Sequence, residues 1–210
     1  MVWRVVGNET TASERAGGRG KSLAWGAMVP VSVRPIGPRR LEVTLGDITT
    51  QSVDAVANAA NSALRGGGGV DGAIHRAAGP ELLAQLRHRY PGGTPTGTAV
   101  ATDAFRLQAR WVLHAVGPRW SGGSSGEADL LASAYRACLA LCDELGAASI
   151  AFPAISMGIY GYPRPDGARI AVETVADHLR GDTSVQLARF VLFSEDARSA
   201  FEEALAALPA

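Results

Sequence analysis

The chain has 210 residues, 47% hydrophobic and 19% charged, with 20 basic and 20 acidic side chains that cancel to a formal charge of zero. That length and composition suit one globular domain, large enough to bury about 70% of its unfolded surface. The balanced charge supplies no global field for nucleic acid or an anionic membrane, and the scattered arginines form no stripe for a phosphate backbone.

Residues 1–40 are polar, aperiodic and broken by Pro30, Pro35 and Pro38, which predicts a poorly ordered N-terminal extension feeding into the first strand. The one lysine, Lys21, falls inside it, which argues against Schiff-base or P-loop chemistry. The N-terminus lacks the basic–apolar–small order of a signal peptide, and no apolar run approaches the ~18 residues of a membrane span, so a cytoplasmic protein is expected. From Leu41 the texture changes. LEVTL (41–45) alternates as a strand, and VDAVAN (53–58) is a short apolar run with a polar end. A helix begins near Val70 and stops at Gly79-Pro80, and a second runs from Pro80 to Tyr90. TAVAT (98–102) and RWVLHAV (110–116) read as strands. Over 128–145, Leu131, Tyr135, Cys138, Cys142 and Leu145 recur at helical steps, with Gly146 as C-cap. The two cysteines on that face read as core packing rather than as a disulfide or zinc site. SIAFPAI (149–155) predicts a buried strand, and residues 166–179 a helix with Asp166 as N-cap. RFVLF (189–193) predicts a strand and residues 196–207 a closing helix. Strands alternating with helices argue for a sheet covered on both faces.

The chemistry-bearing stretches sit where strands end. In GGGGVDGAIHRAAG (66–79), Gly67, Gly69 and Gly72 match G-x-G-x-x-G by letter. The context is not that of a dinucleotide fold: NSALR separates the glycines from the strand, and a second helix follows instead of a strand ending in an acid. Glycines that admit a close approach, followed by a helix N-terminus, still suit a phosphate or diphosphate. AISMGIYGYP (154–163) offers a second cradle after a buried strand, but Ser156 lacks the first glycine of a nucleophile elbow. In NAANS (58–62), the amides of Asn58 and Asn61 can donate and accept toward sugar hydroxyls, or satisfy a turn. Asp47 in LGDIT either accepts from an exocyclic amine or caps the next turn. His114 in LHAVGP reads as a strand histidine with a structural hydrogen bond.

GDIT, NAANS, GGGGVDGAIHRAAG, LHAVGP and FPAISMGIYGYP, in that order and spacing, resemble the macro domain family and its MacroD-like branch, from about Leu41 to the C-terminus. The resemblance implies a macro domain over 41–210: a three-layer α/β/α sandwich with a central mixed sheet of about six strands. It implies ADP-ribose as ligand, with ADP-ribosylated proteins as partners of a monomer. Asp47 and Ile48 would face the adenine, with Phe193 stacked on it. Gly68, Gly69 and Val70 would hold the diphosphate and neighbouring ribose with Ser156, Met157, Gly158, Ile159 and Tyr160. Asn61 and Asp71 would meet the distal ribose, and His75, one turn along the helix, would steady the acid. Two positions depart from the pattern. Met157 stands where a small hydroxyl residue is usual, and Ala57 replaces a larger aliphatic.

The mechanism that follows needs no metal or cofactor. Asp71 at the positive end of a helix is kept ionised and orients a water at the distal ribose. The expected activity is hydrolysis of Asp/Glu-linked mono-ADP-ribose esters and deacetylation of O-acetyl-ADP-ribose. A binding module that reads ADP-ribose without turnover would share the binding residues, and a phosphatase on ADP-ribose phosphate would differ in leaving group.

Overall fold

The computed structural model describes residues 31–209. Seven strands form one sheet in the order β1-β2-β7-β6-β3-β5-β4. The interior pairs are parallel: β2 (Arg39–Leu45) with β7 (Leu187–Leu192), β7 with β6 (Ser149–Phe152), and β3 (Ala55–Ala59) with β6 and with β5 (Trp111–Ala115). Each edge is closed by an antiparallel strand, β1 (Ser32–Ile36) on β2 and β4 (Ala99–Asp103) on β5. Mixed pairing with crossovers through helices is the arrangement that alternating strands and helices favour.

Strand parity sorts the core into two layers. Ala55, Ala57, Leu113, Ile150 and Phe190 pack against α3 (Glu127–Leu145), α4 (Arg164–Arg180) and α5 (Glu195–Ala206). Their immediate neighbours Val56, Val112, Ala151 and Val191 face the other way, onto α1 (Gly69–Ala78) and α2 (Pro80–Arg89). A three-layer sandwich results. Cys138 and Cys142 are buried free thiols in the larger layer.

Three expectations need correction. Among the described residues the mixed sheet expected at about six strands holds seven, and Ser32–Ile36 forms β1 inside the segment read as an extension. Pro35 had argued against a strand there, but β1 is an edge strand, where a missing ladder donor is tolerated. The remainder of that segment, residues 1–30, lies outside the described residues. The strand expected over 149–155 ends at Phe152, since Pro153 cannot donate to the ladder. Helix α4 starts at Arg164 after Pro163, so Asp166 sits in the first turn instead of capping it.

Candidate functional site

The carboxyl ends of β2, β3, β6 and β7 and the loop after β5 open onto one cavity of about 770 Å³. Such a crevice beyond the strand ends is where open α/β sheets place ligands.

One wall is the glycine-rich loop running into α1. The first four N–H groups of a helix have no intrahelical acceptor, so this wall presents donors and a positive dipole end. Gly68, Gly69 and Val70 line it. The turn is tight: a Cβ at Gly72 would lie 2.5 Å from the Gly67 carbonyl oxygen, so the helix packs on the loop only with glycine there. Gly69 adopts a left-handed φ of 60°. Asn61 sits under this loop, its Nδ2 donating to Gly66 O at 2.8 Å.

The opposite wall is the loop after β6, from Ser156 to Tyr160. Ser156 holds a left-handed φ of 68°, unusual for a side chain-bearing residue, and its buried Oγ has no hydrogen-bond partner among the described residues. Met157 turns its side chain into the core and against Gly167, and also lines the cavity. The space above Gly68 is filled by Ile159, whose Cδ1 lies 3.4 Å from where a Gly68 Cβ would be, so the two loops meet across the cavity. The Arg119 guanidinium lies 5.0 Å from the centroid of the Tyr160 ring.

At the β2–β7 end, Asp47 accepts from Thr49 N at 2.8 Å and Thr49 Oγ1 at 2.7 Å through one oxygen, capping the short 3₁₀ turn Ile48–Thr50. Ile48 and Phe193 line this end, with Phe193 exposed.

Asp71 lies at the base of the cavity, 5% exposed. Asn58 Nδ2 donates to its Oδ1 at 2.7 Å, and His75 Nε2 lies 3.3 Å from the same oxygen. Its other oxygen, Oδ2, faces Gly67, whose Cβ would come within 3.1 Å of it and 3.7 Å of Asn61 Nδ2. One carboxylate oxygen is tethered and the other is left for the cavity. His75 touches the acid without lining the cavity.

Asn58 departs from expectation. Paired with Asn61 as a sugar contact in the sequence, it is fully buried and does not line the cavity. Its amide is held between Asp71 and His114 Nδ1, the latter at 3.1 Å. Parity explains this: Asn58 points to the same sheet face as Val56, beneath α1, whereas Asn61 lies past the strand end. His114 is fully buried, and burial, with His75 adding to it and Asp71 opposing, pushes its pKa down to about 3.

Arg76, Arg119 and Arg164 also line the cavity, unrecognised in the sequence. Among the described residues none of the three pairs with a carboxylate, and with Asp47 and Asp71 as the acids there, the walls favour an anion. They come from three separate segments, so no local stripe announced them. Among the described residues no three His, Cys, Asp or Glu side chains converge to hold a metal ion. No helix among them is long and apolar enough to cross a membrane.

A mixed sheet between two helical layers, with a cleft between two loops beyond the carboxyl ends of its strands, is the architecture of an α/β domain with its site at the sheet's carboxyl end. The chain belongs to the macro domain family, whose profile matches residues 57–171. An O-acetyl-ADP-ribose deacetylase of Salmonella gallinarum is 53% identical over 159 residues, 75% of this chain and 89% of that protein. A macrodomain of Oceanobacillus iheyensis solved with ADP superposes with a TM-score of 0.81 at 40% identity, covering 86% of this chain and 97% of that one. A Trypanosoma brucei macrodomain in complex with ADP-ribose gives 0.74 at 37% identity, covering 81% and 73%.

Proposed function

We propose that the protein binds ADP-ribose and hydrolyses esters at its distal ribose, deacetylating O-acetyl-ADP-ribose and releasing ADP-ribose from aspartate and glutamate side chains of modified proteins. The observation that carries this reading is Asp71: one oxygen fixed by Asn58 and His75, the other open to a cavity walled by two phosphate-cradling loops. The Salmonella relative and the ADP and ADP-ribose complexes of related macrodomains support it.

In this reading the diphosphate lies between the α1 N-terminus and the Ser156–Tyr160 loop, with Ile159 over it. The adenine lies between Ile48 and Phe193. The distal ribose then falls beside Asn61 and Asp71. Asp71 Oδ2 orients a water and takes up its proton as the oxygen attacks the ester. The acyl C–O bond breaks, Asp71 passes the proton it took from the water to the departing ribose oxygen, and the products are a carboxylic acid and a ribose hydroxyl. The ribose oxygen leaves with the proton that Asp71 has just taken from the water, so one well-placed carboxylate serves as base and then as acid.

The test is turnover. Purified protein is incubated with O-acetyl-ADP-ribose and with peptides carrying ester-linked or serine-linked ADP-ribose, and release of acetate or free ADP-ribose is followed. Hydrolysis of the two ester substrates and not of the serine ether is expected. Calorimetric binding of ADP-ribose without any product would assign the chain as a reader instead.

A further inference from the structure

A row of polar groups crosses the sheet beneath the cavity, and the mechanism above uses only Asn58, Asp71 and His75 of it. On the face that packs against α1, Thr102 of β4, His114 of β5 and Asn58 of β3 lie side by side, and Asp71 and His75 of α1 complete the row. Asn58 and His114 are register partners, and Thr102 is diagonal to His114 across β4–β5. Thr102, His114 and Asn58 are each fully buried.

Counting protons along the row fixes its sense. Asp71 Oδ1 is 2.7 Å from Asn58 Nδ2, which requires the amino end of the amide there, because a carbonyl oxygen would face a carboxylate. The same Nδ2 lies 3.1 Å from His114 Nδ1. Its second hydrogen therefore goes to that ring nitrogen, which must accept. The imidazole proton then sits on Nε2 and is donated to Thr102 Oγ1 at 2.9 Å. With the other tautomer, Nδ1–H and the amide N–H would collide, and turning the amide to relieve that would set Oδ1 against Asp71. This orientation is retained although Asn58 Oδ1 is buried with no partner among the described residues, which shows how firmly Asp71 anchors the amino end.

We infer that His114, its tautomer set by the Asn58 amide and its ring held by Thr102, is a positioning residue for the hydrolysis proposed above: it locks the Asn58 amide, which in turn holds Asp71 Oδ1 so that Oδ2 alone meets the reacting water. The inference rests on the hydrolase reading of the cavity. His114 never approaches substrate, since it does not line the cavity. It acts through two hydrogen bonds. Removing it frees the amide to rotate and the carboxylate to share both oxygens with Asn58 and His75, which misdirects the water without touching the diphosphate walls.

The experiment compares wild type, His114→Leu, His114→Gln and Thr102→Val for kcat and KM on O-acetyl-ADP-ribose, for ADP-ribose Kd by calorimetry, and for Tm. His114→Leu should lower kcat by about 10–100-fold, the usual size of a lost supporting hydrogen bond or a slight misplacement, with Kd near the wild-type value. Glutamine can accept from Asn58 with Oε1 and donate to Thr102 with Nε2, so His114→Gln should recover much of the rate. Thr102→Val should give a smaller loss in kcat. Nitrogen NMR of the labelled wild-type imidazole should show the proton on Nε2. A purely structural histidine would instead lower Tm with Kd and kcat falling together, or leave kcat untouched in a folded variant, and either result overturns the inference. So does a proton found on Nδ1. If His114→Leu does not fold, the glutamine and valine variants and the tautomer decide. Absence of wild-type turnover sinks the hydrolase reading and the positioning role with it, whereas wild-type turnover matched by the His114 variants sinks the positioning role alone.

Discussion

The two ends of the cavity are built on opposite principles. At the Asp71 end the acid is 5% exposed, and Asn58 that holds it and His114 behind Asn58 are wholly buried and hydrogen-bonded across separate strands and a helix. At the other end Phe193 is 90% and Ile159 73% exposed, and the walls between them are mostly main chain and apolar side chains. Backbone amides and stacked rings grip a nucleotide with many small contacts, any one of which can be weakened. A carboxylate that must aim one oxygen has no such redundancy. The open end should therefore tolerate substitution in affinity, and the closed end should not tolerate it in rate.

Asp71→Ala is the largest expected effect: kcat on O-acetyl-ADP-ribose should fall by ~10²–10⁴, the usual contribution of a positioned base, while calorimetry still detects ADP-ribose binding. Equal rates for the two proteins would remove Asp71 from the mechanism and erase the contrast. Met157→Ala comes next, and acts on the scaffold. Its buried side chain packs against Gly167, so truncation should cost about 2–5 kcal/mol in denaturant unfolding, with the affinity of the folded protein close to wild type. A large loss of affinity with little loss of stability would instead make the Met157 side chain a ligand contact. Phe193→Ala should weaken ADP-ribose binding by about tenfold, the low end of the ~1–3 kcal/mol of a base–aromatic stack, with kcat unchanged. A fall in kcat at saturating substrate would mean the open end also aims the reaction.

How much of this was legible in the sequence depended on whether the cause was local. The glycine-rich block announced its helix start and its donor-bearing wall of the cavity because glycine, dipole and helix onset are neighbours in the chain. The two-faced sheet was legible from alternation. Asn58 and Asn61 looked equivalent because both are amides three residues apart; the last residues of β3 decide that one points under α1 and the other toward the cavity. Met157 looked like a lost hydroxyl contact, while its side chain serves the core through Gly167, ten residues on. Arg76, Arg119 and Arg164 converge only after α1, the loop after β5 and the start of α4 are folded together. β1 was hidden by Pro35, whose acceptability depends on its being at an edge.

At neutral pH titration leaves stability untouched, and the two ends should fail in different pH windows only in acid. The wall carrying Tyr160 is held from outside: Tyr160 O accepts from Trp120 N at 2.9 Å, and the loop after Trp120 is tied to Glu127. That carboxylate accepts from Ser121 Oγ at 2.7 Å and from the backbone N–H groups of Ser121, Gly123 and Ser125. These bonds, the Ser121 hydroxyl foremost, pull its pKa from 4.5 to about 2. A depressed carboxylate contributes stability that is complete above 4.5 and disappears as pH falls through about 2. His114 is also depressed, from 6.5 to about 3, but it is neutral when deprotonated. The unfolded chain takes up its proton first, so stability drains as pH falls from 6.5 toward about 3, by at most ~1.4 kcal/mol per pH unit. Thermal unfolding across pH should therefore be shallower for His114→Gln than for wild type beginning just below neutrality, and shallower for Glu127→Gln only at more acid pH. If the two variants flatten the profile in the same window, the buried end is not dry enough to keep His114 neutral, and the contrast between a sealed acid and an open nucleotide wall loses its physical basis.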